Sequence, residues 1–522
     1  MFRRLMFRRL MFKRLMFKRL PLLSILLCAS FYATLALGED MFRDALIINE
    51  DTSHFFISRS PDEMTVEGLN DFIDSYADTT VTHIFFCVGG GRVNVSGSVH
   101  QPIWAVTHDG NEPTELWATN AKLLDQRGID PYAVWFSRAR EKGISPWCSI
   151  RMNDVHEIDN LNSYIVEAFT ANHPEFWRVP NGEGDKWINR ALNFRHPEVR
   201  QYMAELIAEQ FERYDFDGIE LDWMRFGYHL TPGNERAEGH FVTELVEFTH
   251  EKAVEWSAKR GHKIGVAVRV PAVPEAAVGL GMDAIDWAKK GLVDLVIPCP
   301  FWSTTDFDVP LEKWNQYLAG TDVSLSAAAE VRVMAYPGAQ PRLCTVAQLH
   351  GLAASEKYRG TSNVYLFNWM DRDTTLIAPE DYKQLLLDGF SDQFLATCPR
   401  DIPLTYHDTV PADVSIGAQL PQNTGEPISF TIPIGPRPSQ ETGKLIVGIA
   451  EEGAMEKTFQ GTLNGTEPVA QETIATDDFP GAQYAVIFTF AREAFVDGTN
   501  TLSFTQTEGE PSTAVFVTAR FE

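Results

Sequence analysis

Between residues 43 and 400 the chain alternates apolar β-type runs with segments of helical period, and this alternation most constrains its fold. Eight runs read as strands: 45–48 (ALII), 82–88 (THIFFCV), 144–150 (ISPWCSI), 216–223 (FDGIELDW), 264–270 (IGVAVRV), 293–298 (VDLVIP), 323–331 (VSLSAAAEV) and 364–369 (VYLFNW). Near-continuous apolar strands are what a parallel sheet covered by helices requires. Ser60-Pro61-Asp62-Glu63 offers a cap, a Pro at the first helical position and an acid three residues on. Val66, Leu69, Ile73 and Tyr76 then follow at helix spacing. A longer helix is predicted from Pro197 to about Tyr214, with Val199, Met203, Leu206, Ile207 and Phe211 on one face. Others are predicted over about 240–259, 281–290, 310–318 and 345–357. Eight such units predict a (β/α)8 barrel over 43–400, its main insertion being the Asn-, Asp- and Pro-rich stretch 151–196. An open doubly wound sheet is the alternative and calls for a nucleotide fingerprint. Cys87-Val88-Gly89-Gly90-Gly91 lacks the GxGxxG spacing and precedes no predicted helix, so it reads as a loop.

After residue 400 the pattern changes. Polar, Pro-rich stretches separate short alternating runs at 428–434, 444–450, 483–490, 500–504 and 514–521, with turn signals at Asn464-Gly465 and Asp497-Gly498. Residues 401–522 are therefore expected to form an all-β module, a sandwich or jelly roll, with 403–421 as linker.

The N-terminus is of another kind. The first 38 residues hold eight Lys/Arg and no Asp or Glu, followed by an apolar stretch from Leu20 to Leu37. The stretch is interrupted by Ser24, Ser30 and Thr34 and ends in small residues, which predicts a signal peptide over 1–38 with cleavage before Glu39, and export to the periplasm or medium. A Met-Phe-(Arg/Lys)-Arg-Leu pentapeptide occurs four times, at residues 1, 6, 11 and 16, and a start at Met16 leaves a leader of ordinary length. A basic amphipathic helix or membrane anchor is the alternative. Two Leu before Cys28 make a poor lipobox, which disfavours a lipid anchor there. No later apolar run is long enough to span a bilayer, so no stable membrane insertion is expected after cleavage.

The whole chain of 522 residues has 71 Asp+Glu against 45 Lys+Arg, a formal net charge of −26. Without the basic leader the balance is 37 basic to 71 acidic residues, a net charge of −34. Such acidity repels a phosphate backbone and excludes nucleic acid as the expected partner. Five cysteines follow the leader, widely spaced and without a CxxC pair, and read as small buried hydrophobes. The histidines show no metal-ligand spacing, so neither a metal nor another cofactor is expected.

The segment Tyr214–Phe226, YDFDGIELDWMRF, carries the chemistry. Strand alternation puts Glu220 and Asp222 on one face and Ile219 and Leu221 on the other. In a barrel the apolar face packs on helices, so the two acids point into the lumen, with Asp222 nearer the C-terminal mouth where barrel active sites are built. A lumenal carboxylate is costly unless paired or working. Arg225 is the partner expected to keep Asp222 ionised. The plain structural alternative is a buried Asp–Arg bridge that holds the loop.

DGIELDW resembles the DGIDIDWE strand motif of family 18 glycoside hydrolases, but Met224 stands where that family has its catalytic Glu. The stretch 192–226, LNFRHPEVRQYMAELIAEQFERYDFDGIELDWMRF, is more similar to the signature of the bacterial glycosyl-hydrolase-like family 10 barrels. A second block, WAKKGLVDLVIPCPFW at 287–302, resembles that family's Gly-Leu-Val-Asp, strand, Pro segment. The resemblance implies a glycosidase-type barrel and leaves the C-terminal module outside it.

Glycoside cleavage commonly uses two carboxylates, one as acid and the other as nucleophile or base. Asp222 is the expected nucleophile or base. Glu330, ending the Ala-rich seventh strand, is the expected acid/base, with a solvated strand end or a bridge to Arg332 or Arg269 as its plain alternative. Glu220 is the other candidate partner, though its deeper position favours a structural role. Arg151, Asn153, Asp154, His156, Arg225, Arg269, Trp302, Asn368 and Trp369 fall at or just beyond predicted strand ends. Trp faces stack on sugar rings and the polar groups bind hydroxyls, which suits a carbohydrate cleft. Arg151 and Arg269 are the expected partners of any sulfate or carboxylate on the sugar. The function expected is an exported glycoside hydrolase acting on an oligo- or polysaccharide. The alternatives are a non-catalytic glycan-binding barrel and a polysaccharide hydrolase or lyase of another type. Oligomeric state is not legible in the sequence.

Overall fold

Apolar runs of four to eight residues become strands when both faces can be covered. In the computed structural model they form β1 (Leu46–Glu50), β2 (His83–Gly89), β3 (Ser145–Arg151), β4 (Gly218–Asp222), β5 (Gly265–Pro271), β6 (Leu295–Cys299), β7 (Ser324–Leu325) and β8 (Ala328–Ala329). A short antiparallel pair, β9 (Arg332–Val333) and β10 (Arg342–Leu343), precedes β11 (Val364–Phe367). The structure describes residues 41–89, 91–182, 187–371, 378–409, 417–451, 457–479 and 481–522. The expected leader with Cys28, Gly90 of the glycine run and residues 410–416 of the expected linker lie outside the described residues. Residues 44–522 form one unit.

The large sheet runs β7-β6-β5-β4-β3-β2-β1-β11-β8, parallel throughout, with helices packed against it. Its strands are buried almost end to end. The seventh expected strand is broken. Ser324 and Leu325 pair with Leu295 and Val296 of β6, whereas Ala328 and Ala329 pair with Tyr365 and Leu366 of β11. A segment that changes partner midway cannot keep a single ladder, so 323–331 is two short strands that reach both ends of the sheet.

Gly218 in the carboxylate motif has a packing reason. A Cβ there would lie 2.2 Å from the Trp147 ring. That ring stacks on Phe85 at 4.7 Å, so β4 passes over a wall of aromatic surface contributed by β2 and β3. The Ser60–Glu63 capping box forms, but around a single 3₁₀ turn. The helix proper, Val66–Asp74, starts afresh with Thr65 accepting from the Gly68 N–H. The Pro197–Arg213 helix buries the apolar face expected of it and packs against the helix His240–Arg260.

The C-terminal strands are β12 (Arg400–Pro403), β13 (Gln422–Asn423), β14 (Ile428–Pro433), β15 (Thr442–Ile449), β16 (Thr458–Leu463), β17 (Ala470–Ala475), β18 (Tyr484–Ala491), β19 (Thr499–Glu508) and β20 (Thr513–Phe521). They make two antiparallel sheets, β12-β20-β15-β18-β17 with β13 on β20, and β14-β19-β16. Phe488 of the first sheet meets Phe504 of the second edge to face at 6.0 Å. Cys87, Cys148, Cys299, Cys344 and Cys398 are all buried and unpaired. No helix among the described residues is long and apolar enough to cross a membrane.

Candidate active site

Three strands supply the donors around Glu220. Its Oε1 accepts from Ser149 Oγ of β3 at 2.6 Å and Asn49 Nδ2 of β1 at 3.3 Å, and its Oε2 from the Tyr365 hydroxyl of β11 at 2.6 Å. Partners on β1, β3 and β11 place the carboxyl on the inner face of the curled sheet, as alternation along β4 requires. Burial and the neighbouring Asp222 push its pKa upward. Asp222, on the same face, is 1 % exposed. Its Oδ1 accepts the backbone N–H of Met224 at 3.0 Å and of Arg225 at 2.9 Å, and its Oδ2 accepts Arg269 Nη1 at 2.6 Å.

The ionic partner of Asp222 is therefore Arg269, not the side chain of Arg225. Register explains this, since Asp222 of β4 stands opposite Arg269 of β5. The tight turn after Asp222 returns the Arg225 N–H to the carboxylate and sends its guanidinium elsewhere. Arg269 is itself held flat on the Phe367 ring, 3.6 Å from its centroid.

A cavity of ≈790 Å³ opens beside these groups, lined among others by Asp51, His54, Arg225, Trp302, Glu330 and Asn368. Glu330 is 2 % exposed and its Oε1 has no hydrogen-bond partner. Burial pushes its pKa up to about 7 against the pull of Arg269, Arg225 and a hydrogen bond with Asn368. Asn368 sits at φ 61°, a left-handed conformation that Asn tolerates better than most residues.

Arg151, Asp154, His156 and Arg225 form a chain along the site. Arg151 pairs with Asp51 and, at 3.3 Å, with Asp154. Asp154 accepts from the His156 ring Nδ1 at 2.5 Å, and His156 Nε2 faces Arg225 Nη2 at 2.9 Å. Arg151 and Arg269, expected to receive an anion, are both occupied by carboxylates of the protein. Asn153 is buried and bonds the backbone of Leu192 and Tyr228, clamping two loops rather than facing the cavity. Trp369 is also wholly buried and does not line the cavity. Trp302 does, at one end of an aromatic group in which it stacks on Phe301 at 3.8 Å and lies 5.7 Å from Trp187.

Three charged cavity groups were missed in the sequence, Arg342 on β10 and, just beyond β1, Asp51 and His54. Despite its burial, Arg151 and Ser53 hold Asp51 well below the usual carboxylate range. Burial opposes a charge on His54, yet Glu50 and Asp371 together push its pKa up to about 9. The available signal for Asp51 and His54 was position, because both follow the C-terminal end of β1 within four residues. Among the described residues no cluster of His, Cys, Asp or Glu is arranged to hold a metal ion.

A parallel β/α sheet whose inner face gathers carboxylates and arginines beside a cavity has the layout in which barrel-type enzymes build their sites. Residues 114–265 match the model of the glycosyl hydrolase-like 10 family, so the resemblance carried by 192–226 is shown. Glycosyl hydrolase DigH of Escherichia coli strain K12 is 21% identical over 238 residues, which cover 37% of this chain and 52% of that protein. DigH of Shigella flexneri matches equally. The chain thus spans about half the length of the curated relatives it matches. Among solved structures, the PgaB glycoside hydrolase domain from Bordetella bronchiseptica aligns with 67% of this chain and 99% of its own, at 13% identity and a TM-score of 0.38. A glycoside hydrolase family 18 N-acetylglucosaminidase from Paenibacillus barengoltzii aligns with 65% and 99%, at 12% identity and a TM-score of 0.34.

Proposed function

We propose that this chain is an exported glycoside hydrolase that cleaves O-glycosidic bonds of an oligo- or polysaccharide with a pair of carboxylates. Glu330 carries the reading. It is a buried carboxyl on the cavity wall with one oxygen unpartnered and a pKa pushed up to about 7. A general acid needs that state, protonated near neutrality and free to give its proton to a leaving oxygen. Asp222 is the second carboxylate, nucleophile or base. Three donors hold it in place, and a carboxylate offers about four acceptor sites, so one remains. Arg269 joins the pair, bonded to Asp222 and acting on Glu330. A second reading gives the ionised role to Asp51, which lines the cavity where Asp222 does not.

The wider architecture belongs to the same proposal. The sheet closes through 324–329 as an eight-stranded barrel over 43–400, residues 401–522 form a sandwich or jelly roll, and residues 1–38 are a leader removed on export. The match to a glycosyl-hydrolase-like family supports the reading.

The test is a polysaccharide and glycan screen with the full chain. Product formation that survives in neither Glu330→Gln nor Asp222→Asn is the expected result. Loss in Asp51→Asn with turnover intact in Asp222→Asn moves the second role to Asp51. Glycan binding with no turnover on any substrate identifies a binding protein and overturns the proposal.

A further inference from the structure

The arginines of the inner sheet are neutralised, but those of the cavity are not. Arg225 lines the cavity and has no carboxylate within ion-pair distance among the described residues. Among the described residues its Nη2 hydrogen-bonds the His156 ring, and its Nε is cut off from water with no acceptor. Arg332 lines the same cavity, is exposed, and makes no side-chain hydrogen bond or ion pair among the described residues. Arg342 of β10, also on the wall, donates to the neutral backbone carbonyl of Asp477 and makes no ion pair among the described residues. Of the two carboxylates on the cavity wall, Asp51 is matched by Arg151, while Glu330 acts on Arg225 without an ion pair among the described residues and has its pKa pushed up to about 7 by burial; the cationic His54 is matched by Glu50 and Asp371. A chain with a net charge of −26 therefore concentrates unmatched positive charge in one cavity.

A half-buried guanidinium with no carboxylate partner keeps most of its charge available to an anion in the cavity. Arg225 lies 5.7 Å from the Trp302 ring, so a group bound to it would sit beside a face suited to a sugar ring. A guanidinium fork matches a planar or tetrahedral oxyanion.

Resting on the reading of the cavity as a glycan site, we propose that its substrate carries an acidic oxygen group on the sugar, a carboxylate or sulfate ester, received by Arg225 and Arg332. An anion on Arg225 also offsets one of the two cations that favour the charged form of Glu330. The bound substrate thereby helps to keep its own proton donor protonated.

The test uses the full chain carrying Glu330→Gln on an array of matched neutral, uronate-bearing and O-sulfated oligosaccharides. Acid-bearing glycans are expected to bind at least tenfold more tightly than their neutral counterparts, and the preference to fall as salt rises. Arg332→Gln, at an exposed site that folding does not need, is expected to weaken that binding several-fold, and Arg225→Gln more. Uronate-only or sulfate-only binding identifies the source of the oxyanion. Equal binding of neutral and acidic partners, no bound glycan, or an Arg332→Gln variant that binds as before overturns the proposal. Turnover of neutral glycans without acid preference defeats this inference and leaves the glycosidase reading standing. Tight acid-glycan binding without turnover by the unaltered chain does the reverse.

Discussion

Glu330 sets both how the site works and what it costs the fold. Its pKa rises from an unfolded value of 4.5 to about 7 in the folded chain, so the native state takes up a proton that the unfolded state releases between those values. The stability this contributes is complete below pH 4.5 and is lost as pH rises through 7. Above that pH the buried charge remains as a penalty, on the order of 3 kcal/mol for a shift of this size. Glu330→Gln is thus expected to be more stable than the unaltered chain at pH 8 and close to it at pH 4.5, as denaturant titrations at the two pH values will show. The same titration sets activity. With Glu330 as proton donor, kcat/KM falls about tenfold per pH unit above 7 and Glu330→Gln loses at least about 100-fold at pH 6. A flat profile from pH 6 to 9 sinks the assignment. Asp222 is a contrasting residue. Asp222→Ala removes the carboxylate bonded to buried Arg269, and a stranded buried charge costs about 3–5 kcal/mol. Asn at that position keeps the acceptor for the Met224 and Arg225 N–H groups and should unfold later than Ala in a thermal melt.

At the scale of elements, β4 shows what the sequence made legible. Alternation alone put Glu220 and Asp222 on one face, and the observed donors from β1, β3 and β11 agree with it. The glycine before them had no visible reason in one dimension, because Trp147 lies 71 residues earlier on a neighbouring strand. Gly218→Ala forces a methyl into that ring and is expected to destabilise by roughly 1–3 kcal/mol with little change in the cavity charges, measurable as a lower denaturation midpoint. Elements whose pattern was weak were lost. The helices Leu116–Gln126 and Pro131–Glu141 went unread, as did β16 and the solvent-facing β17. The break in the seventh strand was also invisible, since Ala-rich sequence carries no mark of which neighbour each half will pair with. Side-chain partners across strands were the least legible of all. Arg225 is near Asp222 in sequence, but register delivered Arg269.

At the scale of the whole molecule, the segment leading from β12 into the C-terminal strands braces the wall of the site. The carboxylate of Asp408, just beyond β12, accepts the backbone N–H of Trp302 at 2.8 Å and of Ser303 at 2.5 Å. The Phe301 N–H bonds the Asp408 carbonyl at 2.7 Å. Nearby, Asp306 meets the His407 ring at 2.8 Å, and Phe307 N–H donates to Thr405. Residues 405–408 thus fix the loop that carries Trp302, while Arg342 on the far wall leans on Asp477. Packing confirms how close the parts lie. A Cβ on Gly351 would sit 2.6 Å from the Asp401 carbonyl, and one on Gly435 the same distance from that of Ala354. These contacts hold the loop that carries Trp302. Asp408→Ala keeps its backbone carbonyl but releases two N–H groups of the Trp302 loop, and at Glu330 it removes only the weakest of the influences that set its pKa, a neighbouring charge that raises it. It is expected to raise KM several-fold with kcat within about twofold, because loose positioning of a stacking face weakens binding before it alters the reacting groups. Steady-state kinetics on any substrate found by the screen will check it. A kcat loss as large as that of Glu330→Gln, with KM unchanged, places Asp408 in the chemistry and defeats the bracing argument.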